Sequence, residues 1–206
     1  MPLLMIAVLT AVSRYNFLLF HTLAELFAIM VAIVLAVIAW YTYGFSRNHF
    51  LMYLGVGYLW IGVLDLLHML SFRGMNVLVL DAGGNASIQF WIVTRYLEAM
   101  LLLSAPLFFR YRMPKLSLML FFGAGTLVTS YLVMQRQFPD MYIDGVGLTS
   151  AKIVSEYIIV GMLLLAAGLI TRYRTMVDRN IYVLMVVSIL LTAAAELSFT
   201  LYIDVY

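Results

Sequence analysis

The sequence predicts an all-α fold, a polytopic bundle of membrane-spanning helices, and three observations lead to this prediction. Hydrophobic residues make up 65% of the 206 residues and charged residues only 11%, whereas about a quarter of a soluble domain is charged. The mean hydropathy is +1.03. Polar turns separate six apolar runs of about 20 residues, the length that crosses a bilayer as a helix. The chain is therefore predicted to be an integral, multi-pass membrane protein.

Composition also excludes several classes of function. The net charge is +2 and no basic run is present, so nucleic acid is not an expected partner. The chain has no cysteine, which excludes disulfides, thiolate catalysis, iron–sulfur clusters and Cys-ligated zinc. No segment outside the apolar runs is long enough to fold as a soluble domain. We therefore expect a protein that is not an enzyme.

The apolar runs define one partial span and six full spans. Residues 1–12 are apolar but too few to cross the hydrocarbon layer, so we expect a shortened or interfacial helix there. The full spans are predicted at about 17–41, 50–72, 88–109, 116–134, 150–170 and 181–203. Residues 44–48 are predicted to form the first turn, and Gly83-Gly84-Asn85 indicates a loop before the third span.

The distribution of basic residues predicts the orientation. The turns after the first, third and fifth spans are basic, whereas acidic residues dilute the basic ones in the loops at the other end. Since short cytoplasmic loops are enriched in Lys and Arg, the basic turns are predicted to be cytoplasmic. The basic residues of these turns are Arg47, Arg110, Arg112, Lys115, Arg172, Arg174 and Arg179.

Ionisable residues inside the spans form one layer. Counted along each helix, they lie about 3 to 15 Å from the predicted outer end of their span. Five spans contribute residues to this layer, and the fourth span contributes none. Such residues are expensive in lipid and usually face the bundle interior or a wet cavity. These residues are His21, Glu25, Asp65, His68, Arg95, Glu98, Lys152, Glu156 and Glu196.

The shared depth predicts a ligand-binding polar cavity that opens toward the outer face. Trp91 lies in the same layer, and we add it to the nine ionisable residues as a candidate wall of the pocket. A structural interpretation stays open, because an Arg–Glu pair such as Arg95 with Glu98 or Glu156 often only holds helices together. The acids outnumber Arg95 and Lys152, so a proton, a metal ion or a protonated histidine is expected to complete the charge balance.

The two histidines of the layer, His21 and His68, leave several chemistries open. They could be axial ligands of a haem, or hold a divalent ion such as zinc or copper together with Glu25 or Asp65. The His-Glu-x-x-His motif of membrane zinc proteases is absent. Three hypotheses remain: a receptor for a small ligand or ion, a haem- or metal-binding redox or gas sensor, and a small transporter. Transport is the least favoured, because the inner half of the spans has no polar pathway.

A set of motifs, taken in order along the chain, resembles a known family. The motifs are Phe20-His21-Thr22-Leu23-Ala24-Glu25-Leu26-Phe27, Asp65-Leu66-Leu67-His68, Phe72-Arg73-Gly74-Met75, Trp91-Ile92-Val93-Thr94-Arg95-Tyr96-Leu97-Glu98-Ala99, Gly145-Val146-Gly147-Leu148-Thr149 with Lys152 and Glu156-Tyr157, and Glu196-Leu197-Ser198-Phe199-Thr200-Leu201-Tyr202. Together they resemble the third type of bacterial membrane-associated sensor (MASE) domain, over nearly the whole chain.

The resemblance implies an N-terminal sensory module of the bacterial inner membrane. Such modules precede a cytoplasmic PAS, diguanylate cyclase, phosphodiesterase or histidine kinase domain, and we expect the module to act as a homodimer. Residues 1–206 are expected to form a single transmembrane sensory domain. We also expect a fragment, because a further motif and a final helix would be needed to bring the chain to a cytoplasmic effector.

Overall fold

The computed structural model describes residues 10–81 and 83–200, and in this part of the chain it confirms the all-α membrane bundle. Six of its helices are long and apolar enough to cross a membrane. They are α1 (Phe17–Ser46), α2 (His49–Ser71), α3 (Asn85–Ser104, extended by a 3-10 turn at Ala105–Phe109), α4 (Lys115–Met134), α5 (Ser150–Arg172) and α6 (Arg179–Phe199). Residues 10–15 are helical. The rest of the predicted short helix at 1–12, and the end of the sixth predicted span, lie outside the described residues.

Local sequence signals explain where the helices begin and end. The side chains of Asn16, Asn48 and Thr149 each accept a hydrogen bond from a backbone N–H in the first turn of the following helix. Helix α1 runs five residues beyond the predicted end at Tyr41, because no residue there stops it until Arg47 adopts a left-handed conformation. The predicted turn over residues 44–48 is therefore only two residues long.

Helix α2 is the centre of the bundle. It packs against α1, α3 and α4, while α3 packs against α5 and α5 against α6. We call the end with the turns 47–48, 110–114 and 173–178 the basic end. The opposite end, with residues 72–81, 83–84 and 135–149, is the loop end. There two antiparallel strands of two residues each, Tyr142–Ile143 and Gly147–Leu148, form a small hairpin. These strands were not predicted from the sequence.

Small residues bring α1 and α2 into close contact. Gly55 lies against Ala39, and Gly62 lies against Ala32, so two pairs spaced seven residues apart share one face of each helix. Small residues at such positions let two helix backbones approach closely, which is the usual basis of helix packing in membranes. This contact fixes α1 beside α2 and places His21 near His68.

We expect Gly55→Ala to destabilise the bundle, although alanine favours helix formation over glycine. A Cβ at this position would overlap the Cβ of Ala39 and lie 3.2 Å from the carbonyl oxygen of Leu35. Overpacking of this kind costs about 1–3 kcal/mol in free energy of unfolding. Gly161→Ala is the matched control, because a Cβ at Gly161 meets nothing within 4 Å. Unfolding of both variants in mixed micelles checks the expectation, and equal stabilities would contradict it.

Candidate functional site

A cavity of about 470 Å³ lies between five helices at the loop end of the bundle. Helices α1, α2, α3, α5 and α6 each contribute to its wall. Aromatic rings form much of this wall, and charged side chains are placed among them. The side chains at the cavity include Phe17, Phe20, His21, Glu25, His68, Phe72, Ser87, Ile88, Trp91, Leu148, Lys152 and Phe199.

Three of these residues converge into what we call the His–Glu–His cluster: His21, Glu25 and His68. His21 and Glu25 are four residues apart on α1 and share one helix face, and His68 comes from α2. One ligand atom from each residue lies within 4.8 Å of the other two. The Nε2 atom of His68 is 3.9 Å from Oε1 of Glu25, and the two imidazole centroids are 5.3 Å apart.

Neighbouring groups hold the two imidazoles in place. Nδ1 of His68 lies 2.8 Å from the carbonyl oxygen of Ser87, so this nitrogen carries the proton that the carbonyl accepts. The hydroxyl of Ser87 lies 3.1 Å from the same nitrogen. The ring of Phe72 stacks on His21 with a centroid distance of 4.0 Å. These contacts leave Nε2 of His68 directed toward Glu25.

Behind the cavity, Arg95 holds two helices together through a group that we call the Arg95 network. Nη2 of Arg95 donates to Asp65 on α2 at 3.0 Å, and Nη1 donates to Glu98 at 2.6 Å. The hydroxyl of Tyr58 donates to the other oxygen of Glu98 at 3.1 Å. The guanidinium also lies 4.6 Å from the ring centroid of Trp91, which is cation–π range.

A second ion pair of the layer involves Lys152, which joins α5 to α6. Its Nζ atom lies 2.5 Å from Glu156, whose side chain has no exposed surface. The same Nζ donates to the backbone carbonyl of Phe199, near the end of α6, at 3.1 Å. Glu196, one turn earlier on α6, is also buried and lies within electrostatic range of Arg95. Within the described part of the chain, five of the six membrane-spanning helices, all but α4, therefore contribute to the charged layer.

Comparison of the sequence with models of known protein families identifies the family of this chain. The sequence model of the MASE3 family, a membrane-associated sensor domain, matches residues 12–206. The chain belongs to the MASE3 family. Neither the comparison with curated proteins nor the comparison with solved structures finds a significant match.

Family membership gives the MASE3 domain a coarse function. It is a membrane-associated sensor domain, and its six apolar helices make it a multi-pass membrane protein. A sensor family of this kind is not itself enzymatic and implies a signalling partner domain. The family resemblance inferred from the sequence motifs is thereby confirmed.

The structure divides the predicted site residues of the MASE3 domain into two groups. His21, Glu25, His68, Trp91 and Lys152 line the cavity. The other five form buried ion pairs or buried acids behind it, and they do not appear in the wall: Asp65, Arg95, Glu98, Glu156 and Glu196. The assignment of all ten residues to ligand binding stays a prediction, and for the second group the geometry favours a supporting role.

Sequence reasoning also missed residues of this region. Tyr58 is seven residues before Asp65, hence on the same face of α2, and this spacing was an available signal. Ser87 contacts His68 through its hydroxyl and its backbone carbonyl, and no side-chain pattern reveals the contact of the carbonyl. Phe72 and Phe199 look like ordinary apolar residues in the sequence. Their place beside the polar groups depends on how the helices pack.

Proposed function

We propose that this MASE3 domain binds a small ligand or ion in the cavity beside the His–Glu–His cluster and signals its presence. The ligand enters from the periplasmic face of a bacterial inner membrane. A cytoplasmic domain of the diguanylate cyclase, phosphodiesterase, PAS or histidine kinase type reads the binding event, and the sensor works as a homodimer. Membership of a sensor family and the presence of charged groups in a cavity between the helices support this proposal.

The observation that carries the proposal is that five helices meet at one cavity. A ligand shifts a conformational equilibrium only if it binds one state better than the other. At this cavity a ligand would touch α1 through His21 and Glu25, α2 through His68, and α5 through Lys152. Its affinity would therefore depend on the relative positions of these helices, as a transmitted signal requires.

The basic residues support the proposed direction of signalling. The basic end carries Arg47, Arg110, Arg112, Lys115, Arg172 and Arg174, so it is the cytoplasmic end by the distribution of positive charge. The cavity lies at the opposite end, beside Phe72, Gly84 and Leu148. A ligand would thus bind on the outer side, and helix displacements would carry the signal toward the cytoplasm.

We expect His21→Ala and Glu25→Gln to change the effector output of a full-length signalling protein that carries this domain. Both side chains line the cavity, and neither belongs to the Arg95 network or to the Lys152–Glu156 pair. The measurement is effector activity in membranes, with protein level and thermal stability recorded for each variant. His49→Ala is the control, since His49 lies at the basic end and contacts Tyr43. Unchanged output from folded cavity variants would contradict the proposal.

A further inference from the structure

We propose that His21, Glu25 and His68 bind one divalent transition-metal ion, with an open coordination position facing the cavity. The inference rests on the proposed function, since it names the ion that the sensory cavity holds. In this arrangement two imidazole nitrogens and one carboxylate oxygen are the protein ligands. The open position takes water or a small ligand.

The distances within the cluster suit a shared ion better than direct contacts. The separation of 3.9 Å between Nε2 of His68 and Oε1 of Glu25 is too long for a hydrogen bond. Two ligand atoms that each lie about 2 Å from the same metal are separated by roughly 3–4 Å. All three ligand atoms lie within 4.8 Å of one another, so small side-chain adjustments bring them to one ion.

The contact between His68 and Ser87 is the second observation that indicates a metal. A metal-binding histidine almost always donates its other ring N–H to a carbonyl or carboxylate, which fixes its tautomer. Nδ1 of His68 has such a contact at 2.8 Å with the carbonyl oxygen of Ser87. Nε2 therefore keeps its lone pair and lies 3.9 Å from Oε1 of Glu25.

His21 supplies a third observation. Its Nε2 atom is buried and has no hydrogen-bond partner among the described residues. Buried polar atoms are nearly always partnered, so such an atom calls for an explanation. A metal ion at the cluster provides a partner for an imidazole nitrogen in this position.

The charges of the layer also favour a cation at Glu25. Within the described residues, Arg95 pairs with Asp65 and Glu98, and Lys152 pairs with Glu156. The ion contact found for Glu25 is the long one to His68, a side chain that already donates from Nδ1. The Glu25 side chain is only 12% exposed, and a largely buried carboxylate without a cation in contact is unfavourable. A divalent ion bound by two neutral imidazoles would supply positive charge in contact with Glu25.

The donor set narrows the chemical class of the ion. Two imidazoles with one carboxylate suit zinc, copper, cobalt, nickel or ferrous iron, whereas magnesium and calcium prefer oxygen ligands. Three protein ligands with a free position are typical of reactive rather than purely structural zinc sites. A haem with His21 and His68 on opposite faces fits less well. Its macrocycle would have to pass between the two rings, close to the Glu25 carboxylate.

The experiment uses the full chain, purified in detergent, stripped with a chelator and titrated with Co²⁺. We expect one ion per chain, a visible absorption spectrum of nitrogen- and oxygen-bound Co²⁺, and quenching of tryptophan fluorescence. Most of this quenching should disappear in Trp91→Phe, because Trp91 lies 5.3 Å from His68 between ring centroids. Zinc should displace the cobalt and abolish the colour.

Three variants with one control test the ligands. His21→Ala, His68→Ala and Glu25→Gln should each weaken Co²⁺ binding at least about tenfold. His49→Ala should bind like the original protein, since the third histidine of the chain lies at the basic end. Size-exclusion profiles and thermal unfolding without metal identify variants that do not fold. Glu25→Gln preserves the size of the side chain, so it still tests the metal site if the alanine variants do not fold.

Specific outcomes would overturn the assignment. They are the absence of saturable Co²⁺ and Zn²⁺ binding by the original protein, an equal loss of affinity in His49→Ala, or a haem Soret band that requires both His21 and His68. If metal binding fails while cavity variants still alter effector output, the sensory proposal stands and the metal assignment falls. If the metal binds but no cavity variant alters output, the assignment stands and the sensory proposal falls.

Discussion

Replacing Arg95 with methionine is expected to lower the free energy of unfolding by about 3–5 kcal/mol. The guanidinium is the cation in contact with Asp65 and Glu98, at 3.0 and 2.6 Å, and their side chains are only 5% and 11% exposed. Without it, two carboxylates would remain in a low-dielectric interior, and Trp91 would lose its cation–π contact. Equilibrium unfolding of the purified domain in mixed micelles measures the loss.

Two comparison variants make this prediction specific. Arg110→Met removes an exposed arginine at the basic end, so it should change stability by less than about 1 kcal/mol. Arg95→Lys should fall between the two, because a lysine retains the charge but does not present the planar donor fork that reaches both acids. Equal stability of Arg95→Met and Arg110→Met would show that the Arg95 network does not hold α2 and α3 together.

The second large effect is expected for Lys152→Met, again a loss of about 3–5 kcal/mol. This change leaves Glu156 without the cation at 2.5 Å, and its carboxylate is completely buried. It also removes the hydrogen bond from Nζ to the carbonyl of Phe199, which connects α5 with the end of α6. We expect the α5–α6 contact to loosen first, and hydrogen exchange of the α6 amides should therefore accelerate along with the loss of stability.

A double variant and a control distinguish charge burial from packing. Lys152→Met combined with Glu156→Met should regain most of the lost stability, since a buried ion pair replaced by apolar side chains is often neutral. Lys115→Met, the change in the other lysine, removes cation–π contacts with Trp40 and Tyr43 but leaves no buried carboxylate unpaired, so it should cost at most about 1 kcal/mol. If the double variant is no more stable than Lys152→Met, the unpaired carboxylate is not the cause of the loss.

Much of the fold could be predicted from the sequence, because lipid restricts the choices of the backbone. No water is available there to bind exposed N–H and C=O groups, so an apolar run of about 20 residues must form a helix. Six spans were predicted, and six are found among residues 10–81 and 83–200. Boundaries were less certain: the predicted first turn began at Gly44, but α1 continues through Gly44 to Ser46. The two-residue strands at the loop end are too short to show a hydrophobic pattern in the sequence, so they were not predicted.

The residues of the charged layer could also be predicted from the sequence, but the ion pairs between them could not. The rise of a helix gives the depth of each residue along its axis, so the shared depth of His21, His68 and Arg95 followed from counting. Arg95 had two candidate partners, Glu98 and Glu156. The structure pairs it with Glu98 and with Asp65 and gives Glu156 to Lys152.

The sequence by itself therefore determined that this protein is a bundle of six membrane helices with ionisable groups at one depth. Only the tertiary structure decided which of those groups face the cavity and which pair behind it. The physical reason is that hydropathy and helical rise determine only the position of a residue along its helix axis. The rotation of a helix about that axis, and the helices that lie beside it, depend on side-chain contacts between helices. Gly55 against Ala39 sets such a contact, and through it His21 and Glu25 come to lie beside His68.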